Sequence, residues 1–297
     1  MIALKLAAIA CICQSVSSTS VQTISHGNYI GNASIPGLSQ FLGIRYAKPP
    51  VGDLRFAPPE AWPSQAGALL NATSYGPGCP QLSAFETYNG LAEDCLTLNV
   101  IVPSDHNSSL PVMFFIHGGG NYNGQSIFYN GTALVQHSVA IGKPIVYVGI
   151  NYRLGGFGFL SSPEFNDAGL SNLGLKDQYL ALEWVHEHIE EFGGDPDKVT
   201  IFGESAGAAN CWAHMHYASK YGEEEKYFRG VITQSGAPGS PAYPLGMFPS
   251  ANLRRSAKRS STAFERGSRR LWRPTRENEV STTLLGTINS RCLHVAL

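Results

Sequence analysis

The residues with the clearest chemical potential are Gly203-Glu204-Ser205-Ala206-Gly207, which follow an apolar run, Val199–Gly203, and precede a helix-compatible stretch, Ala206–His216. A serine on a tight turn from strand to helix is the pattern of a nucleophile elbow. Such a turn strains the backbone, and side chains two residues either side of the serine would collide. Glycine at 203 and 207 removes that collision. The turn also lifts the hydroxyl clear of the sheet at the positive end of the following helix, where the Ala206 N–H points at a forming oxyanion. An ordinary strand-to-helix turn has a similar composition, so this motif alone is a weak signal. His117-Gly118-Gly119-Gly120 strengthens it, because it closes an earlier apolar run, Pro111–Gly118. Consecutive glycines there let backbone N–H groups approach a carbonyl oxygen unobstructed. The two motifs, in this order, predict acyl transfer through Ser205.

A serine hydroxyl is a poor nucleophile until a base takes its proton, and the base needs an acid to orient it. The expected chain order is serine, then acid, then histidine. Downstream of Ser205 lie His214, His216 and His294. The first two follow the elbow too closely to reach back to its hydroxyl. Being two residues apart they do not share a helix face, which argues against a metal pair and for surface or packing roles. His294, with Glu265, Glu277 or Glu279, has the right order but no matching motif. His186 and His188 read as amphipathic helix positions, and His26, His106 and His137 have no identifiable partner. No metal and no organic cofactor is implied.

The positioning elements follow from periodicity. Leu96–Pro103, Pro111–Gly118, Pro144–Tyr152, Val199–Gly203 and Val231–Gln234 are strand candidates. The middle ones are apolar at both alternating positions, as strands covered on both faces are. Gly131–Ile141 and Leu175–Phe192 carry helical spacing; in the second, Leu175, Tyr179, Leu182, Val185, Ile189 and Phe192 recur at three and four. Strand and helix alternate, which predicts an α/β fold with a mostly parallel central sheet and helices on both faces.

Of the 297 residues, 43% are hydrophobic and 14% charged, the profile of a chain able to bury a core. A net charge of -1 gives no reason to expect nucleic acid as a partner. Lys5 followed by the short apolar run Leu6–Ile12 and the small residues Ser15-Val16-Ser17-Ser18 reads as a secretory signal over residues 1–18. No later stretch is long and apolar enough to span a membrane, so no stable membrane anchor is expected. In an oxidising compartment Cys79 and Cys95 are the local candidates for a disulfide, with Cys211 and Cys292 also remaining in the mature chain. Sequons at Asn32, Asn71, Asn107 and Asn130 agree with secretion. The expected hydrolase domain occupies residues 19–245. Beyond Leu245, residues 246–297 hold nine of the thirteen arginines and three acids, a basic tail of different character. An unspliced intron or a frameshift would produce such a break.

Longer stretches carry a resemblance. Phe41–Phe56, Glu93–Val100, Asn151–Leu160, Asn172–Val185, Phe192–Gly207 and Gln234-Ser235-Gly236 resemble, in collinear order, the type-B carboxylesterases. That family includes fungal lipases and the cholinesterases. The resemblance covers roughly residues 20–243. It implies the α/β-hydrolase fold, here incomplete at its C-terminal side, since the family is roughly twice this length and keeps its acid and histidine in the second half. It implies that Ser205 attacks an ester carbonyl while Gly119, Gly120 and Ala206 donate N–H groups to the oxyanion. Cys79 and Cys95 match the family's first disulfide; Arg55 with Glu93, and Arg153 with Asp177, match structural ion pairs. Glu204 matches a buried hydrogen-bonding position. The segment from Pro80 to Asp94 is shorter than the lid loop of the family's lipases, which points to a soluble short-chain or aryl ester as the small-molecule substrate. This chain is expected to be weakly active or inactive for want of a base. The rival reading is a non-catalytic binding or adhesion protein on the same fold. Members of that kind typically lack the serine or the glycine trio, and both are present here.

Overall fold

The computed structural model describes residues 18–23, 26–81, 89–105, 109–221 and 227–236. Residues 1–17 of the expected signal segment, His106, Asn107, Cys292, His294 and the basic tail lie outside the described residues. Nine strands form one sheet: β1 (Ser18–Thr23), β2 (Gly27–Asn32), β3 (Leu38–Arg45), β4 (Leu69–Asn71), β5 (Thr97–Pro103), β6 (Leu110–Ile116), β7 (Val146–Ile150), β8 (Gly194–Glu204) and β9 (Gly230–Gln234). Their order is β1-β2-β3-β5-β7-β6-β8-β9, with β4 attached to β2. From β7 through β6 and β8 to β9 the pairing is parallel. From β1 to β7 it is antiparallel.

The α-helices among the described residues are α1 (Thr132–Ala140), α2 (Gly155–Phe159), α3 (Pro163–Asp167), α4 (Leu173–His188) and α5 (Ala206–Tyr221). The long helix expected over 175–192 starts two residues earlier. It tightens into a 3₁₀ turn, Ile189–Phe192, which Gly193 ends in the left-handed conformation. A glycine accepts that backbone without steric cost.

Alternation at period two explains the layers. Val112, Phe114 and Ile116 of β6, Val146, Val148 and Ile150 of β7, and Val199 and Ile201 of β8 meet Ala181, Leu182 and Val185 of α4 and Cys211 of α5. The intervening Phe115, Tyr147 and Phe202 face the other way, onto Val135 of α1. Both faces are therefore covered, as the uninterrupted apolar runs require.

Two ion pairs and a disulfide brace this frame. Arg153 and Asp177, 2% and 0% exposed at their side chains, form a two-pronged pair, Nη2 to Oδ1 at 2.6 Å and Nε to Oδ2 at 2.9 Å. The remaining Arg153 donor reaches the Ala57 and Arg55 carbonyls at 2.8 and 3.2 Å. The Arg153 guanidinium thus anchors the segment around residue 56 to α4. Arg55 and Glu93 pair as well, in a partly exposed position. Cys79 and Cys95 form a disulfide, with Cα atoms 5.0 Å apart.

Candidate active site

The register of the parallel strands sets the site. Ile116 at the end of β6 lies opposite Gly203 on β8, and Glu204 lies opposite Gln234 on β9. The chain leaves β8 at Glu204 and enters α5 at Ala206. Ser205 makes that turn alone, with φ at 54°. Its N–H donates to the Gln234 carbonyl at 2.9 Å and its own carbonyl accepts from Ala209 N–H at 3.2 Å. A non-glycine residue in this region is held there by its surroundings.

Those surroundings are glycines in close approach. A Cβ on Gly207 would stand 2.0 Å from the Ile116 carbonyl oxygen, and one on Gly203 would stand 2.5 Å from the Gly207 backbone. Neither position admits a side chain, so the collision expected from the sequence is real. Gly118 lies against the turn from the other side: a Cβ there would be 3.1 Å from Ser205 Cβ.

The loop from His117 to Gly124 supplies the second half of the site. Gly119 and Gly120 have φ values of 103° and 64°. The Gly119 carbonyl accepts from Tyr122 and Asn123 N–H at 3.2 and 3.1 Å. Among the described residues the N–H groups of Gly119 and Gly120 have no protein acceptor. Ala206 opens α5, where the first N–H groups lack an intrahelical partner. The structure therefore brings Ser205, the glycine loop and the start of α5 together at the carboxyl end of the parallel strands. Glu204, beside the serine, is half-buried rather than buried, with its carboxylate near Gly118.

His117 is buried, and its Nδ1 donates to the Gly118 carbonyl at 2.8 Å. Burial pushes its pKa down to about 4, so the ring is neutral near pH 7. The Tyr152 ring stacks on it at 4.4 Å, and the Tyr152 hydroxyl donates to the His117 carbonyl at 2.7 Å. His214 is also buried on α5; its Nε2 donates to Gln178 Oε1 at 2.9 Å, and burial lowers its pKa to about 4. His216 stacks on Trp212, and His186 packs against Tyr227. His188, read as an amphipathic helix position, is buried with its ring 4.8 Å from that of His26. No described histidine hydrogen-bonds Ser205. No cluster of three or more metal-ligating side chains occurs among the described residues.

Three residues around the site carried no motif. Gln81 clasps Gly124, its Nε2 donating to the carbonyl at 3.0 Å and its Oε1 accepting from the N–H at 2.7 Å. The disulfide-closed segment thereby grips the glycine loop. Asn121 and Asn210 are buried and hydrogen-bonded to each other. None of these has a chemical signature in sequence, because a carboxamide is an ordinary surface group until the fold buries it.

A model of the carboxylesterase family matches residues 18–268, past the change in composition at Leu245. A secreted lipase 1 from Botryotinia fuckeliana is 41% identical over 254 residues, which are 75% of this chain and 44% of that protein. An inactive carboxylesterase-like protein, VdtD, of Byssochlamys spectabilis is 37% identical over 224 residues, 72% of this chain and 37% of that one. The solved structure of a PNB esterase superposes with a TM-score of 0.64 at 43% identity, covering 74% of this chain and 44% of that one. The chain thus spans less than half the length of these relatives. With the elbow, the glycine loop and the sheet register in agreement with these matches, the chain belongs to the carboxylesterase family.

Proposed function

We propose that this protein is a serine ester hydrolase with Ser205 as its nucleophile. Ser205 Oγ would add to the ester carbonyl carbon as its proton passes to a base. The carbonyl oxygen becomes an oxyanion facing the N–H groups of Gly119, Gly120 and Ala206. Collapse expels the alcohol and leaves an acyl-Ser205 ester, which water then hydrolyses to the acid and free serine. The observation carrying this reading is the left-handed Ser205 pressed against Gly118, with two unpartnered N–H groups next along the loop.

Ser205 needs a base to take its proton, and loss of that base is expected to cost roughly a millionfold in turnover against a complete triad. Substrates fitting the short disulfide-closed segment are soluble short-chain or aryl esters. Rates that rise sharply above the substrate's solubility limit would point to a lipase instead. The signal-like N-terminus and the disulfide support secretion. Asn71 and Asn130 are exposed, each with its Oδ1 accepting from the N–H and hydroxyl of the threonine two residues on, and are the sequons we expect to carry glycan.

The test is covalent labelling. A fluorophosphonate probe should modify the full chain at Ser205, mapped by peptide mass spectrometry, and should leave Ser205→Ala unmodified. p-Nitrophenyl acetate should be hydrolysed faster by the unaltered chain than by Ser205→Ala. A probe that ignores Ser205, at concentrations that label a complete esterase, favours the non-catalytic reading, for which the inactive relative is a precedent.

A further inference from the structure

The glycine loop poses a mechanical problem. Four of its eight residues, Gly118, Gly119, Gly120 and Gly124, have no side chain, so the loop has little of its own to hold its N–H groups in place. Its two ends are tied down. His117 is held by Tyr152, and Gly124 by Gln81. At the centre, directly after Gly120, stands Asn121. It has φ at 62° and is 2% exposed. Its carboxamide meets that of Asn210, which lies on the second turn of α5 and is 3% exposed. Asn210 Nδ2 donates to Asn121 Oδ1 at 2.8 Å, and Asn121 Nδ2 donates to Asn210 Oδ1 at 3.2 Å. The Tyr152 hydroxyl stands 3.2 Å from the same Asn121 oxygen.

Two hydrogen bonds between two planar amides fix a distance and also a rotation. The elements they join are the two that carry the proposed oxyanion donors: the loop with Gly119 and Gly120, and the helix that begins at Ala206. A pair needed only to satisfy buried amides would serve anywhere in the core. This one sits where a small displacement of one element against the other would open the site.

We propose that the Asn121–Asn210 amide pair is a positioning device, locking the glycine loop to α5 so that the N–H groups of Gly119, Gly120 and Ala206 converge on the carbonyl attacked by Ser205. The inference rests on the esterase reading for its chemistry, though not for its mechanics. It predicts that the pair governs the rate of the covalent step and leaves substrate affinity alone.

The test uses the full chain with Asn121→Gly, Asn210→Ala and the double variant. Glycine at 121 keeps the left-handed backbone free of strain, so that variant removes the amide alone. Hydrogen–deuterium exchange of a peptide covering residues 117–124 should quicken about tenfold in each single variant. With a fluorophosphonate, the limiting labelling rate of Ser205 should fall roughly ten- to a hundredfold while the half-saturating concentration stays within about twofold. The double variant should be no slower than the worse single one, because the amides act as a unit. Unchanged exchange in both single variants overturns the clamp. So does faster exchange with an unchanged limiting rate, or a loss that appears only in the half-saturating concentration. If the unaltered chain takes no probe at Ser205, the esterase reading falls, and exchange alone then decides whether the amides hold the loop.

Discussion

At the scale of the residue, Ser205 shows a conflict between fold and chemistry. Its φ of 54° is a conformation that glycine adopts freely and serine does not. The residue stays there because its N–H and carbonyl are held by Gln234 and Ala209 while glycines at 203 and 207 admit the tight turn. Replacing the serine by glycine should relieve that strain, whereas alanine retains it. Allowing for the looser unfolded chain that glycine also brings, Ser205→Gly should be about 0.5–1 kcal/mol more stable than Ser205→Ala in urea titrations. An equal midpoint would mean the turn is not strained. Ser205 and the glycines around it were legible in the sequence because each answers to one local requirement. Asn121, Asn210 and Gln81 were not, since their roles exist only between segments distant in the chain.

At the scale of the element, the strands read best where they are covered on both faces. β5 and β7 are buried at every residue; β7 stands out as an unbroken run, and β5 reads almost as clearly although Thr97 and Asn99 interrupt it. β2 alternates buried and half-buried positions but offers only Tyr29 and Ile30 as strong strand formers, so the antiparallel edge escapes a reading based on apolar runs. The ion pair that anchors α4 behaves differently from those on the surface. Asp177 and Arg153 are both out of water, so removing one leaves the other charge stranded. Asp177→Asn should destabilise the protein by roughly 3–5 kcal/mol, read as a lowered urea midpoint. A loss below about 1 kcal/mol would place Arg153 in contact with solvent. Lys48 and Glu60, exposed on the surface, should contribute little by comparison.

At the scale of the whole molecule, His117 and His214 couple stability to pH. Their folded pKa values, near 4, lie below the 6.5 of an unfolded chain. Between those values the unfolded chain binds more protons, so stability must fall as pH drops. The contribution is complete above about pH 6.5 and is progressively lost toward pH 4. At pH 5 each histidine should account for about 2 kcal/mol. Unfolding titrations at pH 7 and pH 5 should show the fall, and His214→Gln should make it shallower; an identical slope would mean that His214 is protonated in the fold. The sheet topology reaches further still. β6 lies between β7 and β8, with Phe114 opposite both Val148 and Ile201. The glycine loop springs from β6 and the serine turn from β8, strands far apart along the chain with β7 and four helices between them. No local hairpin or single strand–helix unit can contain both halves of the site. Its assembly waits on the slowest kind of pairing a chain makes, between strands of high contact order. Chemistry at Ser205 is therefore available only to chains whose sheet has closed, and a partly folded chain, however helical, is silent at that serine.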